Sequence, residues 1–190
     1  MADQTGNNLK AGVYIALLRG INVGGKNSLP MKALAGMFEK AGCQSVETLI
    51  QSGNVLFQAE PELAHRIPWL IPRAIQRVFK MNIPLTVRNA VEMEKIAKGN
   101  PFINKRVNRD QLYVAFLSFY PTKTQAATLD PRHSPPDRFQ FKGSEIFLHL
   151  RNGAGKTKLT NSYFDSKLGC VSTIRNWKTV LKLQKMTARG

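Results

Sequence analysis

The chain has 190 residues, of which 43% are hydrophobic, and this suffices for one ordinary domain or two small halves that share a core. No apolar run approaches the ~20 residues of a membrane span, and residues 1–10 lack a signal-peptide layout. These features predict a cytoplasmic protein without membrane association. Two cysteines are too few for a disulfide scaffold or a sulfur-ligated metal site. The 28 Lys and Arg against 12 Asp and Glu give a net charge of +16, which favours an anionic partner.

The first half of the chain reads as alternating strands and helices behind a polar tail at residues 1–11. Pro68 and Pro72 fall inside a helical pattern, and each costs roughly 3 kcal/mol in a helix interior. We therefore expect the second helix to begin near Pro68 or to kink at Pro72. The order βαββαβ over residues 12–92 is typical of a ferredoxin-like unit. The predicted elements are a strand at 13–18, a helix from Ser28-Leu29-Pro30 to Gly42, a hairpin of strands 46–51 and 54–59 around Ser52-Gly53, a helix ending at Phe79 and a strand at 83–88.

The second half, residues 93–190, predicts a partial echo of the first: βαββα followed by a terminal helix. Strands 13–18 and 112–117 are apolar on both faces, so each sheet needs cover on both sides. We therefore expect an α+β fold in which two ferredoxin-like halves pack as one unit. The predicted elements are helices at 91–98, 122–129, 158–168 and 173–187, and strands at 111–119, 138–141 and 145–150.

Four segments together resemble the bacterial family known as domain of unknown function 1697. They are Leu18 to Asn27 (LRGINVGGKN), Gln51 to Val55 (QSGNV), Gly155 to Asn161 (GKTKLTN) and Thr173 to Leu183 (TIRNWKTVLKL). The resemblance runs from about residue 12 to 185. It implies paired ferredoxin-like subdomains, and it assigns no catalytic residues.

A glycine-rich segment joins the first strand to the first helix. Outward-turned amides and the following helix N-terminus would favour an anion there. A tight connection without a ligand is the alternative, since the segment is neither a G-x-G-x-x-G nor a Walker A motif. Lys156 and Lys158 flank the start of the helix predicted at 158–168, where a positive charge is unfavourable beside the helix dipole. A bound anion between them would explain this placement, and a solvated loop is the alternative. The candidate anion-binding residues are Arg19, Gly20, Asn22, Gly24, Gly25, Lys26, Asn27, Lys156 and Lys158.

The predicted terminal helix has one apolar and one basic stripe. Trp177 belongs to the apolar stripe and is expected in the core. The basic stripe is either a solvated helix face or a contact for nucleic-acid phosphates. The candidate nucleic-acid-binding residues are Arg175, Lys178, Lys182 and Lys185.

Catalytic patterns find little support in the sequence. The three histidines are scattered and lack ligand spacing, so no metal site and no cofactor is predicted. The leading hypothesis is a non-enzymatic binder of an anionic ligand, either nucleic acid or a phosphorylated metabolite. The alternative is a small enzyme acting on a phosphorylated substrate held at the Gly20–Lys26 loop, and a third hypothesis is an interaction module whose charge serves solubility. The sequence leaves the oligomeric state open.

Overall fold

The computed structural model describes residues 11–22, 24, 27–49 and 53–189. Within these ranges the first half has the order βαββαβ and ends on a further helix. Its elements are β1 (Gly12–Leu18), α1 (Met31–Lys40), β2 (Gln44–Leu49), β3 (Asn54–Ala59), α2 (Pro61–Phe79), β4 (Leu85–Asn89) and α3 (Ala90–Lys98).

The second half repeats this order after a short 3-10 turn at Arg109–Gln111. Its elements are β5 (Leu112–Leu117), α4 (Lys123–Ala127), β6 (Arg138–Lys142), β7 (Glu145–His149), α5 (Asn161–Leu168), β8 (Ser172–Asn176) and α6 (Trp177–Thr187). None of the helices in the described part of the chain is long and apolar enough to cross a membrane.

Each half contributes one four-stranded antiparallel sheet. The strand orders are β2-β3-β1-β4 and β6-β7-β5-β8, so every strand of the first sheet has a counterpart in the second. The pairing registers agree as well. Leu17, the penultimate residue of β1, lies opposite Asn54, the first residue of β3, and Phe116, the penultimate residue of β5, lies opposite Glu145, the first residue of β7. The α+β class and the two-sheet architecture that the sequence predicts are therefore confirmed.

Three apolar clusters cover both faces of the two central strands. Ala16 and Leu18 of β1 face α1 and α2, whereas Ile15 and Leu17 face the opposite cluster. That opposite cluster also receives one face of β5 together with α3 and α6. The remaining face of β5 packs against α5 and against Leu129, which follows α4. We call this cluster of Ile15, Leu17, one face of β5, α3 and α6 the middle cluster. It contains residues of both halves, and its buried apolar area stabilises their association.

The second helix departs from the sequence prediction. α2 is one helix from Pro61 to Phe79 and contains both Pro68 and Pro72, so the expected start near Pro68 is wrong. Its buried stripe (Ala64, Ile67, Ile71 and Ile75) packs on the first sheet. This tertiary packing outweighs the local cost of the prolines, which lie off that stripe.

The end of the chain also departs from prediction. Residues 173–187 were expected to be one helix, but β8 occupies Ser172–Asn176 and α6 begins at Trp177. The Asn176 side chain accepts a hydrogen bond from the Thr179 amide at 2.8 Å and so caps α6. The second half is therefore a full βαββαβ rather than βαββα.

Candidate functional site

An arginine from the last strand of the first half reaches into the second half. The Arg88 side chain in β4 is buried, and its Nε donates to Glu145 Oε1 at 2.7 Å. Its second terminal nitrogen donates to the Leu117 carbonyl at 2.7 Å. Glu145 begins β7 and Leu117 ends β5, so one guanidinium fixes two strands of the opposite sheet.

Arg175 makes the corresponding contacts in the reverse direction. Its Nε donates to Asn54 Oδ1 at 2.8 Å, and its terminal nitrogen donates to the Leu18 carbonyl at 2.6 Å. Burial lowers the pKa of Arg175 to about 10. The sequence placed Arg175 on a solvent-facing helical stripe for nucleic acid. This placement is wrong, because Arg175 lies in β8 and its guanidinium is occupied between the halves.

The glycine-rich loop is held by its own side chains. The Asn22 amide group accepts from the Leu29 backbone N–H at 2.8 Å and donates to the Leu29 carbonyl at 3.0 Å. Asn27 donates to the Gly20 carbonyl at 2.8 Å. Gly24 is exposed, with a positive φ of 57°. Gly25 and Lys26, also predicted here, lie outside the described residues.

Arg19, predicted as a counter-charge for an anion at this loop, forms an ion pair with the second half. Its guanidinium donates to Asp165 Oδ2 of α5 at 2.5 Å and to the Ser172 carbonyl at 2.9 Å. The Asp165 carboxylate neutralises the arginine, and the pair links the two halves. Arg19 therefore links the two halves through one terminal nitrogen, and its role as an anion ligand stays a prediction.

Lys156 and Lys158 lie in the exposed segment before α5. This helix begins at Asn161 rather than at 158, and Thr160 caps it by accepting from the Tyr163 amide at 3.2 Å. The two lysines therefore stand before the capped end, where both side chains are exposed.

The lysines of α6 form one exposed stripe. Lys178, Lys182 and Lys185 are exposed, and none pairs with an acidic side chain within the described part of the chain. The opposite face buries Trp177, Val180 and Leu183 in the middle cluster, as the sequence predicted for Trp177. A cavity of about 470 Å³ lies between the end of the stripe and strands β2 and β3. Its lining includes Lys182, Arg189, Glu47 and Gln58.

A second cavity, of about 410 Å³, lies beside β4 where the halves meet. Tyr14, His65, Thr86, Glu92 and Ser118 are among its lining residues. Burial and, secondarily, the Glu92 charge raise the pKa of Tyr14. The Thr86 hydroxyl is buried and has no hydrogen-bond partner among the described residues.

The histidines have ordinary structural surroundings. His133 stacks on Tyr163 with ring centroids 3.8 Å apart, and His149 Nε2 lies 3.3 Å from Gln111 Oε1. Burial and the charges of Arg151 and Arg138 lower the pKa of His149. Across the described residues no histidine is hydrogen-bonded to a serine, threonine or cysteine. The same part of the chain has no group of three or more His, Cys, Asp or Glu side chains that could hold a metal ion.

Sequence reasoning missed a basic surface on α2. Arg66, Trp69, Arg73 and Arg77 are all exposed and follow one another at intervals of three or four residues. This spacing is visible in the sequence once the helix is continued through both prolines.

These observations define an α+β protein of two equivalent four-stranded sheets joined by a shared core and reciprocal arginines. The chain belongs to the family described as "Protein of unknown function (DUF1697)", which matches residues 12–147 and confirms the predicted resemblance. The solved structure of the conserved bacterial protein SP0830 from Streptococcus pneumoniae is similar, with a TM-score of 0.63 and 23% identity over 93% of this chain and 99% of that chain. No curated protein matches the chain.

Proposed function

We propose that this protein is a cytoplasmic, non-enzymatic binder of nucleic acid, and that the lysine stripe of α6 contacts the phosphate backbone. The observation that carries the proposal is the exposure of Lys178, Lys182 and Lys185 on one helix face without acidic partners among the described residues. The first and last of these are seven residues apart, which is about 10 Å of helix at 1.5 Å per residue. This length spans several phosphates of a duplex.

The net charge supports the same interpretation. The chain carries a formal charge of +16, and only three ion pairs occur among the described residues. Most of the basic groups therefore keep their charge available to an anion. Proteins that neutralise phosphates in this manner bind without sequence preference and weaken steeply as salt is added.

The glycine-rich loop gives less support to a phosphorylated metabolite or to an enzyme acting on one. Arg19, the described cation at this loop, is bound to Asp165. The Asn22 and Asn27 side chains hold the loop itself. An anion there would depend on backbone amides and on Lys26, which lies outside the described residues.

We also propose that each half is a ferredoxin-like unit. Both halves show the order βαββαβ, and both sheets place the first and third strands at the centre. The three apolar clusters cover both faces of the central strands, so the sheet face that RNA-recognition folds use to stack bases is not accessible here. Nucleic acid would therefore contact a helix rather than a sheet.

The test compares two triple variants that remove the same charge. Changing Lys178, Lys182 and Lys185 together to Gln is expected to weaken binding of a duplex oligonucleotide and to reduce the slope of log K against log salt by about 2.7, at ~0.9 per contact. The control variant changes three exposed lysines on other elements to Gln, namely Lys32, Lys105 and Lys123. Filter binding at several salt concentrations measures both quantities. Equal losses in the two variants would reduce the effect to net charge and refute the α6 surface.

A further inference from the structure

α2 presents a second surface whose chemistry differs from that of the α6 stripe. Trp69 is 56% exposed, although tryptophan is usually buried in a protein interior. Arg66 and Arg73 lie three and four residues from Trp69 on the same side of the helix, and Arg77 follows Arg73 by four residues. The opposite side of α2 is the apolar stripe that packs on the first sheet. The tryptophan is therefore directed away from the core.

The arginines of this surface are available for a ligand. None of the three forms an ion pair with another described residue. The acidic residue of the helix, Glu62, is exposed in its first turn. The Arg73 guanidinium carbon lies 4.4 Å from the centroid of the Trp69 ring, which is a cation–π contact. This contact orients a flat aromatic surface next to a positive charge.

An open depression lies beside the tryptophan on the surface of α2 itself. Its volume is about 510 Å³, and all of its lining residues, Trp69, Leu70, Arg73, Ala74 and Arg77 among them, belong to this helix. A neighbouring cavity of about 380 Å³ lies between α1 and α2. It shares Ala74 and Arg77 with the depression, and Lys40 is another of its lining residues. The surface thus combines an aromatic ring, an apolar floor and a series of cations.

We propose that this α2 surface binds single-stranded nucleic acid, with one base stacked against Trp69 and the neighbouring phosphates on the arginines. Single strands offer the faces of their bases to aromatic side chains, whereas a duplex keeps those faces stacked inside. The cations supply the phosphate contacts that such surfaces combine with stacking. A polyanion without bases would use the arginines but would leave the tryptophan unused.

This surface is independent of the function proposed for α6. α2 packs against the face of β1 that carries Ala16 and Leu18, whereas α6 packs on the side of Ile15 and Leu17. The two helices therefore lie on opposite faces of the first sheet. Substitutions on one helix can therefore be tested for binding while the surface of the other helix stays unchanged.

Tryptophan fluorescence gives a direct measurement of the proposed contact. The chain has two tryptophans, and Trp177 is only 1% exposed, so a bound base can reach Trp69 alone. Titration with a single-stranded oligothymidylate is expected to quench the emission of Trp69 to saturation. Filter binding measures the variants that lack this fluorophore. In that assay Trp69→Ala is expected to lower the affinity about 5- to 140-fold, and Trp69→Phe is expected to keep most of it because stacking survives. The control is Tyr120→Ala, which removes an aromatic side chain that is 71% exposed in the other half.

Urea unfolding checks that Trp69→Ala keeps the stability of the parent, as an exposed position should. Quenching that persists in the Lys178, Lys182 and Lys185 variant assigns the contact to α2 and supports the proposal. Four results would overturn it: no binding of the single strand, binding without quenching, an unchanged affinity in Trp69→Ala, or equal quenching by a duplex. Equal quenching by polyglutamate would replace nucleic acid by an acidic polypeptide and likewise overturn it.

Discussion

The substitution Arg88→Met keeps an unbranched apolar stem and removes the guanidinium that joins the two halves. It leaves the Glu145 carboxylate, whose side chain is 9% exposed, without its ion-pair partner. It also removes the donor that bonds to the Leu117 carbonyl at 2.7 Å. Loss of one member of a buried ion pair costs about 3–5 kcal/mol. This is a large share of the ~5–15 kcal/mol by which a domain is stable.

Urea unfolding of four proteins tests this expectation: the parent, Arg88→Met, Glu145→Leu and the double variant. The double variant is expected to lose less free energy of unfolding than the sum of the single losses, because it leaves no unpaired buried charge. Lys98→Ala is the matched control, since the Lys98–Glu94 pair is on the surface of α3. Its cost is expected to be below about 1 kcal/mol, as for other exposed pairs.

Two outcomes would refute this reasoning. The first is a loss for Arg88→Met no larger than that of Lys98→Ala, which would mean that water solvates the Glu145 carboxylate. The second is strict additivity in the double variant, which would mean that the two charges do not stabilise each other. Equal urea slopes are required for the comparison, because a changed slope signals a changed unfolded state.

Three further predictions follow from burial and from the shared core. Trp177→Ala is expected to cost about 3–5 kcal/mol in urea unfolding, and a loss below about 1 kcal/mol would contradict its burial. Burial raises the pKa of both Cys43 and Cys170 to about 11, so at pH 8 their thiolate fractions are about 100-fold lower than in the unfolded chain. Both thiols are therefore expected to react with Ellman's reagent only after denaturant is added, and fast reaction of the native protein would contradict this. Fragments 1–92 and 93–190 expressed apart are expected to aggregate, because each exposes its side of the middle cluster; two soluble fragments with their own melting transitions would contradict it.

Local patterns predicted most elements because they also hold in the folded chain. The strand at 111–119 is found as β5, Leu112–Leu117, since its apolar run is buried on both faces. β8 was missed because Ile174 continues the spacing of the α6 apolar stripe and so imitates one more helical turn. The capping role of Asn176 was the available signal, and it marks the true start of α6. The continuous α2 was missed because its stability comes from packing on the sheet, which local propensity does not contain.

The candidate sites were predicted in part for a similar reason. The exposure of Lys178, Lys182 and Lys185 follows from helical periodicity, which the sequence shows directly. The partners of Arg19 and Arg175 are 146 and 121 residues away along the chain. A contact of that sequence separation depends on the packing of the two halves. Net charge therefore indicated the kind of partner without separating surface cations from those that hold the fold together.

The reciprocal arginines give a single chain the contact pattern of a symmetric dimer. In a homodimer with an isologous interface, every contact occurs twice and every substitution changes both copies. Arg88 and Arg175 reproduce such a pair of contacts inside one polypeptide. Because the two arginines are separate residues of one chain, a substitution can change one contact and leave the other as it was. In this chain Arg88 donates to the carboxylate of Glu145, whereas Arg175 donates to the neutral amide of Asn54 at the matching position.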